Sequence, residues 1–261
     1  MSEQPLVHTT VDARIAVLTI DHPPANALSL AVLEALQGAL SAALANPEVK
    51  VIILTGAGRF FSAGADIREL AELGDCHSAR TFADRGQALC NAIADAEKPV
   101  IAAINGRLVL GGGSELAMAC HIRLAEETTE LGSPEILIGV SAGWGATQRL
   151  PRLVGQGRAL EMLLTGARIS ARQAEAWGLV NRVVPDGTVL QEALTLAGRM
   201  AALSGPVMAA MLRAVRVGER QGAEAGLKAE AESFGLLCEN EDWREGTRAF
   251  LEKRQPVFQD R

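Results

Sequence analysis

The sequence predicts an α/β fold on three observations. Strand-like and helix-like segments alternate through roughly the first 140 residues. Two short, nearly continuous apolar runs, Val49–Thr55 and Val100–Asn105, read as strands buried on both faces. Helical spacing then dominates after about residue 190, with no low-complexity linker and no repeat at a fixed period. The chain has 261 residues, 48% of them apolar, which suits one substantial core. With no Tyr, six Phe and three Trp, that core must be built from Ala, Leu, Val and Ile.

Leu6–Ile20 alternates as two strands, with Asp12 and Ala13 at the turn. His22-Pro23-Pro24 ends the unit, because proline cannot donate to a ladder. Leu28–Ala45 carries helical spacing and stops at Asn46-Pro47. The strand Val49–Thr55 ends at Gly56-Ala57-Gly58 and is followed by a small-residue loop, Arg59–Asp66. Ile67–Leu73 reads as a short helix and Ala79–Glu97 as a longer one, stopped before Pro99. After the strand Val100–Asn105 comes Gly111-Gly112-Gly113, then a helix from Ser114 to about Cys120. Residues 122–137 read as strand and loop, and beyond Gly143 only Leu179–Val184 is strand-like. Residues 1–190 form the expected core; residues 191–261 form a helical extension of the same fold.

The net charge of −6 argues against nucleic-acid or anionic-membrane partners. It leaves room for an anionic substrate held by local cations or helix N-termini. The four cysteines form no CxxC pair, so free thiols in a reducing cytosol are expected rather than disulfides or a metal site. The N-terminus shows no secretory pattern and no apolar run is long enough to span a bilayer. A cytoplasmic protein is the expectation.

Three segments carry candidate chemistry. In Gly111–Ala119, a glycine run at a strand-to-helix junction lets a ligand approach the backbone. The unpaired N–H groups of the helix's first turn suit a carbonyl oxygen that gains charge. The alternative is a tight turn with close helix packing. Ser62–Asp66 also joins a strand to a helix, and Asp66 is placed to cap that helix. In Gly132–Gly139, Glu135 follows Pro134 and precedes an apolar run. If it is buried, its pKa should rise into the range useful for proton transfer; otherwise it is an exposed loop carboxylate.

The order and spacing of these segments resemble the crotonase, or enoyl-CoA hydratase/isomerase, superfamily, and within it the short-chain enoyl-CoA hydratases. The matching stretches are PPANALS (24–30), VIILTGAGRFFSAGADIREL (51–70), KPVIAAINGRLVLGGGSELAMAC (98–120), LGSPEILIGV (131–140), GWGATQRLPRLVG (143–155) and AFLEKRQPVF (249–258). The resemblance implies a spiral of ββα units with a C-terminal helical trimerisation region, in a homotrimer or a hexamer of two trimers. It maps two backbone N–H donors for a thioester oxygen onto Ala65 and Gly112, and the acid–base pair of the hydratases onto Glu115 and Glu135. The implied reaction adds water to a 2-enoyl-CoA with no metal or redox cofactor, coenzyme A being part of the substrate. Coenzyme A contacts map to Asn26, Ala27, Leu28, Ala63, Asp66, Ile67 and Arg68, with Lys253 reaching a phosphate from a neighbouring subunit. For Arg68 and Lys253 the alternative is solvated surface charge.

Some positions depart from the family pattern. His121 stands where many relatives have Asp and reads as structural. Ser141 replaces a frequent Pro, and Trp144 replaces a common Gly, in a loop that lines the acyl pocket in relatives. Trp144 therefore either limits acyl length or packs in the core. Competing functions are an enoyl-CoA isomerase and a hydratase for branched or dicarboxylic thioesters such as 3-methylglutaconyl-CoA. A dicarboxylic substrate would need a pocket cation from Arg68, Arg80 or Arg85. A further alternative is a non-catalytic RNA-binding homologue, which the acidic charge and the intact acid pair disfavour.

Overall fold

Successive side chains of a strand point to opposite faces, and the run Val51–Leu54 uses both. Ile52 and Leu54 enter the main core, while Val51 and Ile53 enter a second cluster on the other side. The computed structural model describes residues 5–261; residues 1–4 lie outside the described residues. It places this run in β3 (Val51–Gly56), buried throughout.

β3 belongs to a six-stranded sheet of order β1 (Val7–Asp12), β2 (Ile15–Ile20), β3, β4 (Val100–Ile104), β6 (Ile122–Glu126) and β9 (Arg182–Val184). Only the β1–β2 hairpin is antiparallel. Its turn is Ala13-Arg14, both at positive φ, so it falls one residue later than the sequence suggests. A small second sheet has the order β5 (Leu108–Leu110), β7 (Glu130–Gly132) and β8 (Arg168–Ser170).

The main core lies between the large sheet and α1 (Leu30–Ala45), α3 (Cys76–Ala94), α4 (Gly112–Ala119) and α5 (Ala146–Val154). Ser29 caps α1, and an Asp75/Ser78 capping box starts α3 at Cys76, three residues before the expected Ala79. The short helix α2 (Ile67–Glu72) is capped by Asp66, whose Oδ1 accepts from Arg68 N at 2.8 Å. Helices α6 (Gln156–Thr165) and α7 (Ala171–Trp177) follow α5. The expected strand Leu179–Val184 begins only at Arg182, because Gly178 at positive φ ends α7 and Leu179 N and Val180 N still bond back to Ala174 O.

The other face of the sheet is covered by α8 (Val189–Ala201), which presents Val189, Ala193, Ala197 and Ala201 at helical spacing to Ile15, Val51, Ile53, Ile101 and Leu124. Residue 191 therefore falls within a helix that packs on the sheet. The remaining helices are α9 (Gly205–Gln221), α10 (Ala223–Leu237) and α11 (Glu241–Leu251). The tail returns to the sheet edge, where Asp260 pairs with the buried Lys50 at 2.7 Å and with Arg14 at 2.6 Å.

The three-residue strands β5, β7 and β8 are too short to show periodicity, and the sequence did not reveal them. All four cysteines are free, Cys90 and Cys120 buried, Cys76 and Cys238 exposed. His121 is structural: its Nδ1 accepts from Val100 N at 2.9 Å. Among the described residues, no single helix is long and apolar enough to cross a membrane.

Candidate active site

The loops that leave the carboxyl ends of β3 and β4 run toward α2 and α4, the place where parallel sheets bind ligands. They enclose a cavity of about 670 Å³. Ala63–Ala65 forms one wall, Leu70, Leu73, Phe82 and Ala83 a second, and Gly111, Gly112, Glu115, Glu135 and Trp144 a third.

The three glycines have three different causes. Gly111 sits at φ 52°, a region that favours glycine, and donates its N–H to Gly132 O at 3.0 Å. A Cβ on Gly112 would lie 2.3 Å from Cζ3 of Trp144. A Cβ on Gly113 would lie 2.5 Å from Ser62 O, which brings α4 against the loop after β3. Gly112 is also the first residue of α4, so its N–H has no partner within the helix. Opposite it, Leu28 takes both bonds of a parallel bridge, accepting from Asp66 N at 3.2 Å and donating to Gly64 O at 2.8 Å. That pattern turns the Ala65 N–H away from Leu28. The backbone of Gly64 approaches Gly112 N closely: a Cβ there would come within 3.4 Å of it. Both amides thus border one cavity.

Glu115 and Glu135 reach this cavity in opposite environments. Glu115, in the first turn of α4, is 2% exposed. Its Oε1 accepts from Trp144 N at 2.8 Å and Ala146 N at 2.9 Å. Burial pushes its pKa up to about 7; the Ala146 N–H pulls the other way, and the nearby Glu135 adds to the rise. Glu135 opens a single 3₁₀ turn, Glu135–Ile138. Both of its carboxyl oxygens are buried, and neither has a hydrogen-bond partner among the described residues. Burial raises its pKa too. It is therefore not a solvated loop carboxylate. The following Ile136, Leu137 and Ile138 are exposed on the protein surface, and Leu137 and Ile138 border the cavity.

The other expected contacts divide into two groups. Ala63, Ala65, Ile67, Ser141 and Trp144 line the cavity. Asn26 is buried and fully committed: its Nδ2 donates to Ala57 O and Phe60 O, and its Oδ1 accepts from His22 N. Ala27 O accepts from His22 Nδ1 at 2.7 Å. These bonds knit residues 26–28 to the cavity loop. Arg68 is exposed in the first turn of α2, and Lys253 is exposed after α11, away from the residues that line the cavity of its own chain. Arg80 and Arg85 are paired with Asp84 and Glu34 and do not line it. The cation that does is Arg168, in β8, which sequence reasoning missed because a three-residue strand gave no placement for it.

An acid with two N–H donors, an acid with none, and the backbone of Ala65 and Gly112 border one largely apolar cavity, an arrangement that suits acid–base chemistry next to a carbonyl. Comparison with known proteins agrees. Residues 10–261 match the profile of the enoyl-CoA hydratase/isomerase family. A probable enoyl-CoA hydratase of Bacillus subtilis is 46% identical, over 97% of this chain and 98% of its own. The 2,3-dehydroadipyl-CoA hydratase of Escherichia coli is 42% identical, over 95% and 96%. The crystal structure of an enoyl-CoA hydratase subunit from Geobacillus kaustophilus superposes with a TM-score of 0.93 at 39% identity and full coverage of both chains. The chain belongs to the enoyl-CoA hydratase/isomerase family, has the crotonase fold, and is an enzyme.

Proposed function

We propose that the enzyme adds water across the C2=C3 bond of a 2-enoyl-CoA and, in reverse, dehydrates a 3-hydroxyacyl-CoA. The observation that carries this reading is the contrast between the two acids. Glu115 receives two N–H donors, which favour its carboxylate. Glu135 receives none, and burial raises its pKa. A hydration needs one of each.

In the proposed reaction the thioester oxygen sits between the N–H groups of Ala65 and Gly112, which makes C3 electrophilic. Removing one such donor costs about 2.7–4 kcal/mol of transition-state stabilisation. Glu115 takes a proton from the attacking water as its oxygen bonds to C3. Glu135 orients that water and gives its proton to C2. The proton then passes from Glu115 back to Glu135 through solvent, which restores the pair. Neither a metal nor a redox cofactor enters this reaction.

Coenzyme A is proposed to lie along Asn26, Ala27 and Leu28, beside Ala63, Asp66, Ile67 and Arg68. Since the side chain of Asn26 is committed, that residue contributes shape and backbone. Lys253 is proposed to reach a phosphate from a neighbouring subunit of a trimer or hexamer. The exposed Met211, Val215, Leu227, Phe234, Leu236, Phe250 and Leu251, all carried by α9–α11, support assembly through the region 191–261.

The test is loss of the conjugated enoyl-thioester absorbance of crotonyl-CoA, with Glu115→Gln and Glu135→Gln run alongside. Fast loss in the parent and a drop of about 10²-fold or more in each variant support the two-acid mechanism. Full activity in either variant refutes it. A dicarboxylic substrate is the second reading, favoured by Arg168 on the cavity wall and by the Escherichia coli relative named for 2,3-dehydroadipyl-CoA. Arg168→Ala should then raise KM for a dicarboxylic enoyl-CoA and leave that for crotonyl-CoA in place.

A further inference from the structure

We propose that the Trp144 indole is a partition that sets acyl-chain length by separating the acyl cavity from a second cleft behind it. The proposal rests on the hydratase reading above. The indole is 3% exposed and stands between α3 and α4. It packs on Phe82 with ring centroids 5.5 Å apart. Both helices give it room in the same way. A Cβ on Gly86 would fall 2.2 Å from the indole Nε1, and a Cβ on Gly112 would fall 2.3 Å from Cζ3. The ring thus occupies space that any side chain at either position would claim.

Its placement is fixed by the loop that carries it. Trp144 N and Ala146 N donate to Glu115, Arg149 Nη1 donates to Trp144 O at 3.0 Å, and Gln87 Nε2 donates to Gly143 O at 2.8 Å. Contact with Gly112 puts the ring beside one of the two amides proposed to hold the thioester oxygen. A chain running inward from that thioester meets the indole. Ala142, Gly143 and Trp144 also wall a second cavity of about 280 Å³ between α3, α5 and α9, lined by Asn91, Gln148, Arg149 and Arg152. On this proposal, removing the indole joins the two spaces that share Trp144 and lets a longer chain pass through.

The experiment measures kcat/KM for 2-enoyl-CoAs of four, six, eight and ten carbons in the parent, Trp144→Ala, Trp144→Phe and Gly86→Ala. Affinities for the matching saturated acyl-CoAs are measured by calorimetry in the same proteins. A methylene that a pocket cannot accommodate costs roughly tenfold or more. The parent should therefore fall steeply with length. The ten-to-four-carbon ratio should rise at least about tenfold in Trp144→Ala, with Trp144→Phe between the two. Gly86→Ala pushes the ring the other way and should lower the ratio. The same length profile in the parent and both Trp144 variants overturns the proposal, as does a parent that already prefers ten carbons. If Trp144→Ala does not fold, Trp144→Phe and Gly86→Ala decide. If no protein hydrates any thioester but the affinities shift with length as stated, the partition stands and the hydratase reading falls.

Discussion

The role proposed for Glu115 has a consequence for stability that can be worked out. An ordinary glutamate ionises at 4.5, whereas burial holds this one up to about 7. That gap corresponds to about 3 kcal/mol. The folded state holds its proton more tightly than the unfolded state. The stabilisation is therefore complete below pH 4.5, declines as pH rises, and is lost once pH passes about 7. Glu115→Gln removes the titration but keeps an amide oxygen for the N–H groups of Trp144 and Ala146. Relative to the variant, the parent should lose about 2–3 kcal/mol between pH 5 and pH 9, most of it below pH 7.5. At about 2–4 °C per kcal/mol for a chain of this size, the Tm gap should move by about 4–12 °C. Thermal unfolding of both proteins at one concentration, across that pH range, reads it directly. A Tm gap that stays flat with pH would show that Glu115 ionises normally, and the argument for a buried base would fail.

The pH dependence of kcat/KM should rise with a midpoint near 7 as Glu115 becomes a carboxylate; a flat profile from pH 5 to 9 would contradict the assignment. Gly112→Ala places a methyl 2.3 Å from the Trp144 ring, so both turnover and Tm should drop, and pairing it with Trp144→Ala should recover Tm more than the two single effects predict. Asp260→Ala leaves the Lys50 ammonium buried with Leu203 O as its remaining partner; a loss of about 3–5 kcal/mol in urea unfolding is expected.

The large strands and most helices were legible in the sequence because each is long enough to show its period. Ile52 and Ile53 face opposite cores, and a continuous apolar run is what that demands. Boundaries failed where the deciding contact is not periodic. The Asp75/Ser78 capping box begins α3 early, and Gly178 delays β9. The short sheet of β5, β7 and β8 was invisible, and Arg168 with it. Arg68, Arg80 and Arg85 were named instead because they are close in sequence to the cavity loop, but helix geometry turns all three outward.

The site was legible as a set of positions and illegible as a set of environments. Glu115 and Glu135 look alike in the sequence, one after a glycine run and one after a proline. What separates them is contributed from elsewhere in the chain. The loop at Trp144–Ala146 delivers two N–H groups to Glu115 and none to Glu135. That loop can come so close only because Gly86 and Gly112 leave space for the indole. The glycine run thus matters to the acid pair as well as to the carbonyl. It admits the ring, the backbone of Trp144 donates to one acid, and the difference in hydrogen bonding between the two acids follows. On this argument, a bulky residue at Gly86 should disturb the pH profile through Glu115, although Gly86 itself has no polar side chain to titrate. The size of that shift measures how tightly packing and proton transfer are coupled here.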